Sequence, residues 1–244
     1  MEKTGMDSSL NLKKLPIIES RGISIAKMCK GKSVLTIGCV DMIETIKNYR
    51  STVNSERFQL YNLNKYCKEV IGIDVNKEGI DRLIKYGYKN VYKYDIFVDQ
   101  LDEIDKKEYD VIILSHVIEH VPDMYNFLKI IIQKFKFKKI IIAVPNAYDF
   151  FLTMRILFKN TEVISNDHYY TFSPITLKKL LESLSLKTEA IYIDRSKNLK
   201  FVKGQKNLIK EYIHYIIVKL LYKNFNYLGN IVYVGTYKPQ INNN

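Results

Sequence analysis

Apolar residues gather in short runs, Val34–Ile37, Val70–Ile73, Val91–Tyr94, Val111–Leu114 and Ile140–Val144, each four or five residues long and rich in Val, Ile and Leu. Runs that do not alternate with polar residues suit strands buried on both faces, the pattern of a parallel sheet with helices on either side. Between them the apolar spacing is helical, over Pro16–Cys29, Ile43–Tyr49, Glu56–Tyr66, Glu78–Tyr86 and Met124–Phe135. After Pro145 the rhythm changes: Ala147–Phe158, Thr176–Leu184 and Leu208–Tyr222 read as helices, Ala190–Ile193 and Ile231–Tyr237 as strands. The expected order is five α/β units followed by two late strands. No internal repeat or linker interrupts it, so residues 15–240 read as one domain behind a flexible N-terminus, residues 1–14.

Composition changes this picture little. Hydrophobic residues make up 47% of the 244, ample for a buried core. The net charge of +12 admits nucleic acid, an anionic membrane surface or a phosphorylated substrate as partner. The positive charge is mostly lysine spread along the chain, whereas a nucleic-acid footprint clusters and is richer in arginine, so nucleic acid is not the expected partner. Leu208–Tyr222, with Lys210, Lys219 and Lys223, could lie on an anionic membrane; packing on the sheet is the expected role. Cys29, Cys39 and Cys67 are odd in number and widely spaced, suggesting neither a disulfide framework nor a CxxC metal site. The polar start, MEKTGMDSSLNLKKL, lacks the apolar core of a signal peptide, and no uncharged apolar run reaches the ~18 residues of a membrane span. The expected location is the cytoplasm.

In an open parallel sheet, ligands sit beyond the carboxyl ends of the strands, near the point where strand order reverses. The first run ends in "VLTIGCVDM", with Gly38 and with Asp41 placed to cap a following helix. Val40 and Met42 stand where a nucleotide-binding loop usually has further glycines. A β-branched residue does not readily take positive φ, so this loop must turn differently or leave more room around what it holds. The second run ends at Asp74, whose two oxygens can accept both hydroxyls of a ribose. Asp95 and Ile96 follow the third run. Ser115, His116, Glu119 and His120 follow the fourth, and Pro145, Asn146, Ala147 and Tyr148 the fifth.

With "VLTIGC", "VIGIDVNKEGI", "YDVIILSHVIEHV", "IIIAVPNAY" and "DHYYTFSPITLKKLLE", the stretch from Ser33 to Ile193 resembles the class I S-adenosylmethionine-dependent methyltransferases. The branch it resembles includes ubiquinone-type and surface-glycan O-methyltransferases. The resemblance implies a Rossmann-like α/β fold whose seven-stranded sheet is mostly parallel, with helices on both faces and the last strand antiparallel. It also implies a cofactor half near residues 30–145 and a substrate half near 146–240. Carried over, the backbone of Gly38 would contact the methionine moiety and Asp74 the ribose, with Cys39, Asp41 and Val75 also among the cofactor-binding residues. Asp95 and Ile96 would flank the adenine, while Ser115 and His116 would line the methyl donor. Glu119, Asn146, His168, Tyr169 and Tyr170 would face the acceptor.

A hydroxyl acceptor usually needs a base, and an imidazole with a pKa near ~6.5 can serve at neutral pH. His120 is the first candidate, followed by His116 and His168. The pattern His116-x-x-Glu119-His120 also matches a zinc-peptidase motif. Here it sits at a strand's end, before a helix expected to start near Asp123, and no metal is expected. The expected reaction is O-methylation of a small hydroxylated acceptor, a sugar of a surface glycan or its precursor. An RNA methyltransferase, a non-catalytic protein of the same fold and a nicotinamide-dependent oxidoreductase remain as alternatives.

Overall fold

The structure, a computed structural model, describes residues 9–18, 20–41, 52–148, 150–195 and 229–237. Eight strands form one sheet: β1 (Ile17–Ile18), β2 (Ser33–Ile37), β3 (Glu69–Asp74), β4 (Val91–Lys93), β5 (Glu108–Ser115), β6 (Lys136–Val144), β7 (Leu186–Asp194) and β8 (Asn230–Tyr237). Their order across the sheet is β1-β7-β8-β6-β5-β2-β3-β4. β8 runs antiparallel to both β6 and β7, and every other pairing is parallel. The expected α/β class and antiparallel final strand are both present.

The one addition is β1. The stretch Pro16–Cys29, expected to be helical throughout, begins instead as extended chain: Pro16 accepts from the Ile193 N–H at 2.9 Å, and Ile18 from the Arg195 N–H at 2.8 Å. Only from Arg21 does it become α1 (Arg21–Met28). Before it, Leu12–Lys14 forms a 3-10 turn, and Leu10 and Leu12 pack on the core. The helices expected over Ile43–Tyr49 and Leu208–Tyr222 lie outside the described residues.

Alternation along the strands separates two apolar layers. Leu35, Ile37, Ile71, Ile73, Ile112, Leu114, Ile140 and Ile142 face one side, under α5 (Met124–Lys134) and α7 (Pro174–Ser183). Val34, Val70, Val111, Ile113, Ile141 and Ala143 face the other, under α1, α2 (Gln59–Tyr66) and α3 (Lys77–Lys85). A sheet apolar on both faces is what the unbroken runs encode. β5, β6 and β7 extend further toward their amino ends than those runs, because there outward Lys136 and Lys138 alternate with inward residues and pair with Glu108 and Asp110.

Helix starts follow local chemistry. Asn76 accepts from the Gly79 N–H at 2.9 Å and starts α3; Asp123 accepts from the Asn126 N–H at 3.2 Å and starts α5. Ser173 and Thr176 form a reciprocal capping box with Pro174 at the first turn of α7. α4 (Asp102–Asp105) and α6 (Phe150–Lys159) complete the described helices. None of the helices among the described residues is long and apolar enough to cross a membrane.

Candidate active site

β2 is flanked by β3 on one side and β5 on the other, so strand order reverses between β2 and β5, and the crevice belongs there. Two turns line it, the one after β2 and the one after β5.

The turn after β2 takes left-handed backbone at Gly38, with φ 73°, and at Asp41, with φ 56°. Val40 does not; its side chain is buried in the layer beneath α1–α3. The loop therefore turns as Val40 requires, around the residues on either side of it. Gly38 is obligatory, since a Cβ there would stand 2.4 Å from Cγ2 of Val117. The Gly38 and Cys39 N–H groups both donate to the Ile73 carbonyl, at 2.9 and 3.2 Å, and the Val40 N–H donates to Oδ2 of Asp74 at 3.0 Å. All three donors are thus spent on the end of β3. Cys39 is buried, and burial pushes its thiol well up, out of the range for chemistry.

Asp74 also accepts the Asn76 N–H on Oδ1 at 2.9 Å. Burial raises its pKa, against the lowering effect of these backbone bonds. With the Val75 N–H as a third backbone donor, the carboxylate keeps a lone pair free to accept from a ribose hydroxyl. Val75 beside it is exposed. At the end of β4, Asp95 accepts the Phe97 N–H on Oδ1 at 2.9 Å. Ile96 is turned into the core, and the apolar surface open to solvent beside it belongs to Phe97 and Val98, which the sequence reading passed over.

The turn after β5 is built differently. Ser115 Oγ is buried and meets no hydrogen-bond partner among the described residues. His116 stands in the left-handed region at φ 56°, a conformation costing about 1–2 kcal/mol for a side chain of this kind. Its N–H donates to the Ala143 carbonyl at 2.8 Å, which anchors the strained residue to β6. Nη1 of Arg21, the first residue of α1, contacts His116 Nε2. A guanidinium only donates, so Nε2 accepts and the ring proton sits on Nδ1, 2.9 Å from Oε1 of Glu119. That approach falls short of an aligned hydrogen bond, so the neutral imidazole meets the carboxylate only as a dipole. Burial and then the charge of Arg21 lower the His116 pKa, against the raising effect of Glu119 and Asp41.

A 3-10 turn over Ile118–His120 carries Glu119 into the interior, fully buried, and presents His120 at the surface beside it. The segment before α7 folds back over this turn, with the Tyr169 N–H donating to the Glu119 carbonyl at 2.8 Å. His168 is thereby brought edge-on to His120, ring centroids 4.6 Å apart. Asp167 holds His120 from the other side, its carbonyl 3.1 Å and its Oδ2 3.2 Å from Nδ1. Tyr170 donates its hydroxyl to the Pro122 carbonyl, and Tyr169 is exposed. Asn146 is buried, accepts the Tyr148 N–H at 3.1 Å and pairs with Phe172, tying the end of β6 to the same segment.

The fold thus brings together His116, Glu119, His120 and His168, with Tyr169 and Tyr170 alongside. Gly38, Asp41 and Asp74 meet across the turn after β2. Arg21, Asp167 and Val117 were missed: Arg21 carried no signal beyond helical spacing, whereas Asp167 begins the quoted "DHYYTFSP". A separate cavity of about 510 Å³, lined by Tyr61, Lys65, Tyr88 and Asn90 among others, opens at the amino ends of β3 and β4, away from these turns.

The profile of a methyltransferase-domain family matches residues 30–190, more than half of the chain. No curated protein matches by sequence. Among solved structures, the chain is similar to a SAM-dependent methyltransferase from Archaeoglobus fulgidus, with a TM-score of 0.51 and 23% identity over 87% of this chain and 89% of that one. A SAM-dependent methyltransferase from Thermotoga maritima gives 0.55 and 15% over 90% and 88%. The small RNA methyltransferase HEN1 gives 0.56 and 14% over 97% of this chain but 27% of that one. The buried hydroxyl of Ser115, without a partner among the described residues, and the carboxylate of Asp74 lie at the carboxyl ends of β5 and β3, where an open α/β sheet takes a ligand. By profile and by fold, then, the chain belongs to the methyltransferase-domain family and is a class I S-adenosylmethionine-dependent methyltransferase.

Proposed function

We propose that the protein methylates a hydroxyl of a small, polyhydroxylated acceptor, best matched by a sugar of a surface glycan or its activated precursor. The observation that supports this reading is the assembly of Glu119, His120 and His168 at the turn after β5, beside the switch point. An amine acceptor can lose its proton after attack; a hydroxyl must be relieved of its proton as it attacks, and this assembly is placed for that task.

S-adenosylmethionine supplies an activated methyl: the C–S bond breaks as the O–C bond forms, and the electron pair stays on sulfur. The protein's share is alignment and exclusion of water. Asp74 would hold the ribose, and the Ser115 hydroxyl, which lacks a partner, would find one at the donor. His116 serves position rather than proton uptake. Its Nε2 already accepts from Arg21, and burial disfavours its charged form. His120 and His168 stand at the acceptor hydroxyl, and the exposed face of Tyr169 gives a sugar ring a surface to stack on. A cofactor half near residues 30–145 and an acceptor half near 146–240 remain part of this proposal, with Glu119 and His120 reaching the acceptor from the first half.

His120→Ala tests the reading. Methyl transfer from labelled S-adenosylmethionine to a panel of sugar nucleotides and glycan fragments is expected to fall by at least ~100-fold. Calorimetric affinity for the cofactor should be unchanged. Turnover equal to wild type would refute it.

A further inference from the structure

We propose that Glu119, His120 and His168 form a binding site for one divalent transition-metal ion, and that this ion takes an acceptor with adjacent hydroxyls. The proposal rests on the O-methylation reading and specifies how the cluster handles the acceptor. It makes His120 a ligand, not the base that sequence alone suggests.

Three observations converge. One ligand atom from each of the three residues lies within 4.8 Å of the other two. An ion bound at ~2.1 Å would draw such atoms to roughly 3.4 Å of one another, a shift that side-chain rotation of two surface histidines supplies. Second, the carboxylate of Glu119 is fully buried; Nδ1 of His116 approaches Oε1 at 2.9 Å without an aligned hydrogen bond, and Oε2 has no partner among the described residues. A buried carboxylate in that condition calls for a cation. Third, Nδ1 of His120 is engaged by Asp167, leaving Nε2 as the nitrogen for a metal, the arrangement by which a carbonyl or carboxylate orients a ligating imidazole.

His116 is excluded from the set. Its Nε2 is occupied by the permanently charged Arg21, which also repels a cation there. The His116-x-x-Glu119-His120 pattern therefore does not act as the helical zinc motif it spells. Its last two residues join His168 from the segment before α7 instead. Two imidazole nitrogens with one carboxylate favour manganese, iron, cobalt or zinc over magnesium or calcium. Three protein ligands leave positions open for two adjacent hydroxyls of the acceptor. A hydroxyl on the ion loses its proton to solvent water at neutral pH. The resulting oxygen attacks the methyl carbon, whose bond to sulfur breaks with the pair left on sulfur.

Chelator-treated full-length protein, titrated with manganese(II) and followed by loss of the free-ion electron paramagnetic resonance signal, should bind one ion per chain at micromolar affinity. Cobalt(II) should add visible absorption of a nitrogen–oxygen site. His168→Ala and Glu119→Gln should each weaken binding at least 10-fold. His168→Ala is the decisive variant, since its side chain is at the surface, and Glu119→Gln is read only if circular dichroism matches wild type. Absence of stoichiometric binding by manganese, cobalt and zinc, or equal affinity in His168→Ala, would overturn the site. Parallel titration with S-adenosylmethionine separates the readings: cofactor bound without metal refutes the metal site alone, and metal bound without cofactor refutes the methyltransferase role alone.

Discussion

The turns after β2 and after β5 face each other across the same crevice and are finished to opposite degrees. In the first, the N–H groups of Gly38, Cys39 and Val40 are all consumed by Ile73 and Asp74, and the one bulky residue is buried. In the second, Ser115 Oγ, Arg21 Nε and both oxygens of Glu119 are buried without aligned hydrogen bonds. Native proteins satisfy the great majority of buried polar groups, so a concentration of exceptions marks where a ligand completes the structure. The turn after β2 is closed by backbone hydrogen bonds, and the turn after β5 leaves its buried side-chain groups without them.

If that contrast is right, the two turns respond differently to substitution. The largest effect is expected at Gly38. Gly38→Ala adds a left-handed strain of about 1–2 kcal/mol and a clash with Val117 of about 1–3 kcal/mol. Denaturant unfolding should show a loss near ~3 kcal/mol, and adding Val117→Ala should recover the clash but not the strain. Additive losses would mean that the turns do not touch as described.

Ser115→Ala should behave in the opposite sense. Removing a buried hydroxyl that has no partner should leave the free protein unchanged or up to about 1 kcal/mol more stable, while cofactor affinity drops by about 5- to 10-fold. A clear loss of stability without cofactor would show that the hydroxyl is already satisfied.

The smallest effect concerns pH. His116 has a folded pKa below that of the unfolded chain, so the unfolded state binds more protons once the pH falls below about 6.5. The penalty is absent above that value, grows as pH falls through it toward the folded pKa, and is complete below both. Melting temperature should therefore drop faster between pH 7 and 5 in wild type than in His116→Asn, which keeps a residue tolerant of left-handed backbone.

Much of this was legible in the chain. Unbroken apolar runs gave both sheet faces, and polar residues after each run gave the crevice. Val40 called for negative φ, and the left-handed positions of the turn fall at Gly38 and Asp41 instead. The misses share one cause, contact between residues distant in sequence. Arg21 reaches His116 only because α1 packs beside the switch point, and β1 exists only because β7 is there to pair with it. Ile96 was judged by its place after a strand, whereas the core claimed its side chain.

β8 gives the fold a temporal order. β7 and β1 join the sheet only through β8, which is made after them. At about 5–20 residues per second of synthesis, the chain between Asp194 and Asn230 takes seconds to emerge. Through that interval β6 offers a bare edge and β7 has no antiparallel neighbour, a state prone to pairing with other nascent chains. Strands β2 to β6 need no such wait. Ribosome-bound chains are thus expected to dock β2–β6 first, with β7 and β1 latched when β8 slides between its neighbours.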